Sequence, residues 1–130
     1  QVVVENGGDI YVALEREAVV GLWAGKSPLS GKLGIRLPAT AMPVAVCTSS
    51  GTVGPSLSLG RADAATIVAK DGALADAAAS ALGNRVRSRG DLGAAVEWVA
   101  QWIPGVLGAL AVLDDRLAAW GEIELVELGG

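Results

Sequence analysis

Short apolar runs broken by glycine and polar clusters fill the first half of the chain, and helical spacing takes over only after Asp71. Residues 2–4 and 10–14 read as strands separated by a turn, "ENGGD", whose paired glycines permit backbone conformations closed to other residues. Strands are also predicted at 18–24 and 32–37, around the loop "GKSPLSG", and an antiparallel meander is the economical way to connect them. "MPVAVCTSSG" predicts a short strand running into a polar loop, and "ADAATIVAK" predicts another strand.

From 72 to 86, Leu74, Ala77, Ala78, Ala81 and Leu82 recur at helical spacing in a segment rich in alanine, the best helix former, and Asp71 stands where an N-cap belongs. A second helix, 91–102, opens on Asp91 as its cap, places Leu92, Ala95, Val96, Val99 and Ile103 on one stripe, and stops at Pro104. Strands at 106–113, 117–121 and 123–128 close the chain, the first two joined by the "DDR" turn. The order of strands, two helices and strands predicts an α+β fold, with both helices packed on one face of a mostly antiparallel sheet.

At 130 residues the chain suits one domain with its own core. It opens at Gln1 on "QVVVENGGDI" without an initiator methionine, so the expectation is that it forms one piece of a longer protein, and any targeting signal would lie upstream. The longest charge-free stretches are broken, "PATAMPVAVCTSSGTVGPSLSLG" by proline, glycine and serine and "WVAQWIPGVLGALAVL" by Gln101, Pro104 and Gly105. Neither supplies the roughly 20 apolar residues of a membrane-spanning helix. No membrane span is therefore expected, and a cytoplasmic location is the default.

A net charge of −4 argues against a nucleic-acid surface. The basic cluster "RVRSRG", with Arg85, Arg87 and Arg89, follows the first predicted helix, where cations complement the C-terminal dipole, and reads as a solvated helix end. The single cysteine, Cys47, allows no internal disulfide, and the absence of histidine excludes Ser-His and Cys-His dyads and imidazole-bound zinc within these residues. Metal chemistry here has to rest on oxygen ligands and a hard cation such as magnesium or calcium. Asp76 and Ser80, four apart on the first helix, project from the same face and can take two adjacent positions around such an ion, although this pair also occurs on helices with no metal. The loop "CTSSGTVG" offers backbone N–H groups and the hydroxyls of Thr48, Ser49, Ser50 and Thr52 to a phosphate or diphosphate, or it is a plain turn. "NGGD" likewise suffices as a hairpin turn with no ligand.

Taken together, "ENGGDIYV", "VCTSSGTVG" and "ADAATIVAKDGALADAAASALGN" resemble the C-terminal half of the ApbE-like proteins, the FAD:protein FMN transferases once described as thiamine biosynthesis lipoproteins. They are most similar to the shorter ApbE-related family of anaerobic bacteria and methanogens, which carries a "CTSSGT" run and a terminal "AWG" strand, here Ala119 to Gly121. This resemblance spans nearly the whole chain and implies that residues 1–130 are the C-terminal half of a single domain with a T-fold-like α+β architecture. It further implies FAD or FMN in a cleft and Mg2+ bridging protein and diphosphate. Asp76 matches the metal-binding aspartate of the transferases' helix motif, and Ser80 stands where they have threonine. Gly7, Gly8 and Asp9 match their Gly-Gly-acid turn, and Thr48, Ser49, Ser50 and Gly51 fall where a Thr-Ser-Gly loop lines the flavin site. The transferases' histidine-containing segment has no counterpart, since "GTVGPSLSLG" occupies that region. Their lysine-glycine stretch would lie before Gln1.

Three classes of function follow. The first is a flavin-nucleotide protein with magnesium-assisted flavin transfer or diphosphate hydrolysis. The second is an accessory that holds a flavin or phosphate ligand without transfer, in the redox or sulfur metabolism of anaerobes. The third is a structural subunit of a homo-oligomer built through open sheet edges.

Overall fold

The computed structural model describes residues 2–4, 8–49 and 61–128. Nine strands appear among them: β1 (Val2–Val4), β2 (Asp9–Val12), β3 (Ala18–Gly21), β4 (Leu33–Leu37), β5 (Val44–Ser49), β6 (Ala64–Ala69), β7 (Val106–Leu113), β8 (Arg116–Gly121) and β9 (Glu124–Glu127). Two α-helices, α1 (Gly72–Asn84) and α2 (Leu92–Trp102), lie between β6 and β7. The α+β class and mostly antiparallel pairing expected from the sequence hold.

The single sheet does not. The strands form two sheets, one ordered β1-β3-β4-β9 and the other β2-β5-β6-β7-β8, and the helices pack on the outer face of the second. The first sheet covers its opposite face. One core therefore lies between helices and sheet, built from Ala45, Cys47, Ala65 and Ile67 against Ala75, Ala78, Leu82 and Val99. The other lies between the sheets and contains Val44, Val46, Val68 and Leu110 with Val20, Ile35 and Leu37. Successive residues of β5 and β6 feed the two cores in turn, so all six residues of β6 are buried. A strand buried on both faces loses the apolar-polar alternation that would have announced a covered second face.

The antiparallel connection predicted between 18–24 and 32–37 holds, but the first two strands do not pair with each other. β1 pairs in parallel with β3, while β2 sits in the other sheet against β5, so no hairpin joins residues 2–4 to 9–12. β3 and β4 form the expected antiparallel pair, as do β7 and β8.

Asp71 caps α1 as the sequence predicts, its Oδ1 accepting from the N–H groups of Ala73 at 2.8 Å and Leu74 at 3.2 Å. Asp91 does not cap α2. Its Oδ2 instead accepts from the N–H groups of Arg87 at 3.0 Å and Ser88 at 3.1 Å, bracing a short 3-10 turn, Arg89–Asp91, ahead of the helix. The buried face of α1 is rotated from the predicted one: Ala75, Ala78, Ala79, Leu82 and Gly83 are buried, Ala81 is half-buried and Ala77 is exposed. Helical spacing fixes a stripe's period, but an alanine-rich helix gives little contrast to fix its phase. On α2 the contrast is stronger, and Leu92, Ala95, Val96 and Val99 are buried as expected.

Where the chain leaves β8 for β9 in the other sheet, Gly121 has φ +78°, and a Cβ there would sit 2.4 Å from the carbonyl oxygen of Leu107. Gly121→Ala is expected to destabilise the fold by more than about 1 kcal/mol. On α1, Ala78→Leu is expected to cost roughly 1–3 kcal/mol by overpacking, while Ala77→Leu on the exposed flank stays near neutral. Urea unfolding of the three variants checks both expectations. Equal losses from Ala77→Leu and Ala78→Leu would refute the assigned face.

Candidate acidic site at the edge of the helix-covered sheet

Strand alternation decides which side chains face the helices. The paired residues Asp9, Cys47 and Ile67 form one row across β2, β5 and β6, and Cys47 and Ile67 belong to the core beneath α1. Asp9 therefore lies on the helix side at the sheet's edge strand, and Ile10 and Val12 turn to the inter-sheet core. Helix α1 runs along β5 in the same direction, with Gly72 over Ala45 and Gly83 beside Ser49 and Ala65. Asp76, one turn into the helix and exposed, projects from its β2 flank.

The carboxylates of Asp9 and Asp76 meet within hydrogen-bonding reach. The Asp9 carboxyl is pushed above the ordinary carboxylate value, first by the protein packed around it and then by the hydrogen bond and charge of Asp76, against a lowering contact from the Cys47 thiol. Burial is also the main force on Cys47, whose thiol is pushed up to about 12, with the charges of Asp9 and Asp76 adding to it. A neutral thiol is a poor ligand for a hard cation. The Cys47 Sγ lies 3.8 Å from the Gly72 carbonyl oxygen and closes the floor of a pocket of about 290 Å³ lined by Asp9, Ile10, Tyr11, Ala45, Cys47 and Gly72.

One candidate residue, Thr48, separates from this cluster for reasons of strand parity. Thr48 follows Cys47 and so faces the other way, its Oγ1 lying 3.0 Å from that of the buried Thr66. Ser49 returns to the helix side beside Gly83. The Gly8 carbonyl accepts from the Thr48 N–H at 3.3 Å, which fixes the start of β2 against β5. Ser80 is exposed, and helical geometry places it on the flank of Asp76, one turn nearer the end where Gly8 and Ser49 lie. Gly7, Ser50 and Gly51 lie outside the described residues.

Among the described residues no group of three or more Asp, Glu, Cys or His side chains converges as a metal cage. A cation at this site would take Asp9 and Asp76 and complete its shell from hydroxyl, water or ligand oxygens. The N-terminus of α1 is occupied by the Asp71 carboxylate, so it does not supply a phosphate cradle. Tyr11 carries no motif of its own in the sequence. It shares the pocket, follows Asp9 at the two-residue spacing of one strand face, and is 60% exposed.

The fold is thus an α+β three-layer arrangement carrying an acidic pair on its helix side. The family model described as AbpE bacteria matches residues 1–99, and the chain belongs to that family. It is 45% identical over 120 residues to a UPF0280 protein of Methanocella arvoryzae, a match covering 92% of this chain and 48% of the relative. A UPF0280 protein of Methanosphaerula palustris is 45% identical over 121 residues, with 93% of this chain and 49% of the relative covered. The chain spans about half the length of these relatives. Among the described residues no helix is long and apolar enough to cross a membrane.

Because Cys47 is 2% exposed beneath α1, it is expected to resist iodoacetamide at pH 8 in the folded protein and to react promptly in urea. Mass spectrometry of the timed alkylation reads this. Rapid labelling of the native chain would show that α1 does not seal the pocket floor.

Proposed function

We propose that this chain holds a hard divalent cation and the diphosphate of a flavin nucleotide, in the manner of the ApbE-like proteins its motifs resemble. The observation that carries the reading is the meeting of Asp9 and Asp76, one from an edge strand and one from a helix, beside an open pocket. Two carboxylates held this close repel each other, and a divalent cation relieves that repulsion. Ser80 stands one turn along the same helix flank as a hydroxyl donor of oxygen. Magnesium at this place supplies charge neutralisation for a diphosphate. Asp76 and Asp9 bring the negative oxygens, Cys47 keeps the floor uncharged, and Tyr11 offers an exposed ring face to a planar group.

Holding the ligand is supported better than flavin transfer or hydrolysis. No histidine exists in the chain to move a proton, and among the described residues the site gathers the Asp9 and Asp76 carboxylates, the neutral Cys47 thiol and the Tyr11 phenol. A role as a non-catalytic flavin-nucleotide carrier or accessory therefore stands as the second reading.

Calorimetric titration of FAD with and without magnesium separates these readings from a structural role. Wild type is expected to bind more tightly with magnesium, and Asp76→Asn and Asp9→Asn are expected to lose that increment. Ser80→Ala should lower it modestly, and Ser80→Thr should retain it. If Asp76→Asn binds as wild type does in both buffers, the cation site is wrong. Release of AMP from FAD would add transfer or hydrolysis to binding.

A further inference from the structure

The basic run after α1 reads from sequence as a solvated helix end, but the fold sends its three arginines to different places. Arg85 lies over the ring of Trp98, 3.6 Å from its centroid. Arg87 and Arg89 instead line a pocket of about 440 Å³ together with Lys26, Arg61, Asp63, Ser88, Leu113 and Asp114. Four of the chain's ten cations thus converge from three distant segments of a protein with net charge −4.

The backbone that carries them is fastened together. Arg61 donates its N–H to the Val86 carbonyl at 2.7 Å, tying the lead-in to β6 to the exit of α1. The Ser27 hydroxyl, next to Lys26, donates to the Asp114 carbonyl in the β7–β8 turn. Asp63, 4% exposed, accepts from the Asp114 N–H at 2.8 Å, and Asp91 accepts from Arg87 and Ser88. The carboxylates of Asp63 and Asp91 thus brace the backbone, while Asp114 engages through its own N–H and carbonyl. Arg89 reaches Asp115 at 3.7 Å across an exposed surface, and among the described residues Lys26, Arg61 and Arg87 make no ion pair. Asp63 and Asp114 offset part of the charge of the four cations, and the positive excess that remains around the cavity favours an anion.

We infer that this pocket binds a small phosphate-bearing ligand. Guanidinium forks from Arg61, Arg87 and Arg89 present planar pairs of donors suited to tetrahedral oxyanions, and Lys26 adds a point charge on the facing loop. The volume suits a phosphate or diphosphate group, and the chain's net negative charge disfavours a nucleic-acid backbone. This inference is independent of the cation site at Asp76.

Calorimetric titration of the 130-residue chain with inorganic pyrophosphate tests it, in EDTA and about 0.15 M NaCl, so that the outcome does not depend on a bound metal. One-to-one binding is expected, weakened at least about tenfold by Arg61→Gln and by Arg87→Gln. Arg85→Gln, whose side chain rests on Trp98, should bind as wild type does. A parallel titration with ADP distinguishes the source: tighter binding than pyrophosphate assigns a nucleoside diphosphate, and equal or weaker binding assigns the inorganic anion. No saturable binding of either ligand, or binding that both pocket substitutions leave unchanged, overturns the inference.

Discussion

Burial of the five-stranded sheet on both faces is the constraint from which the rest of this structure follows. Every residue of β6 is buried, and its alternate side chains must satisfy either the helices or the opposing sheet. Toward the helices those side chains are mostly small, which lets α1 approach through Ala75, Ala78, Ala79 and Gly83. Close packing of small residues leaves no room for charge in the middle of the layer. Chemistry is driven to the margins, to the β2 edge beside α1 and to the end of the layers where loops from both sheets and the helix junction meet.

Both candidate sites have this origin. At the β2 edge, strand pairing sets Asp9 in the same row as Cys47, and the run of α1 along β5 brings Asp76 to it. The acidic pair is destabilising as it stands, because folding forces together two groups that an unfolded chain keeps apart. At the loop end, Asp63 and Asp91 accept from backbone N–H groups that brace the loops, and the four cations around the pocket outnumber the carboxylates of Asp63 and Asp114 in its wall. One site has negative charge in excess and the other positive, and each is preorganised by hydrogen bonds or packing elsewhere.

How much of this was legible depends on whether the signal was local. The bounds of β7 and the start of α1 with its Asp71 cap are set by neighbouring residues, and the sequence pattern finds them. Division of the strands between two sheets is not local: β1 and β2 are separated by a few residues yet join different sheets, and doubly buried strands look alike in either arrangement. Asp91 has the composition of a helix cap, but a preceding 3-10 turn takes its carboxylate. Within the site, Asp76 and Ser80 stand out by helical spacing and Asp9 by motif, while the Asp9 and Asp76 contact depends on strand register and helix direction. Thr48 and Ser49 were grouped as one loop, and the two-residue period of β5 sends them to opposite faces. The basic pocket has no local signal, because Lys26 and Arg61 lie far in sequence from the arginine run at 85–89.

The meeting of Asp9 and Asp76 is the central claim, and a double-mutant cycle on these two residues tests it most directly. Urea unfolding of wild type, Asp9→Asn, Asp76→Asn and the double variant would be measured at pH 7 in metal-free buffer. Each single change removes the same repulsion, so each is expected to raise stability, and the double change should gain less than the sum of the two by at least about 0.5 kcal/mol. Strictly additive effects would mean that the two carboxylates do not meet, and would contradict the account.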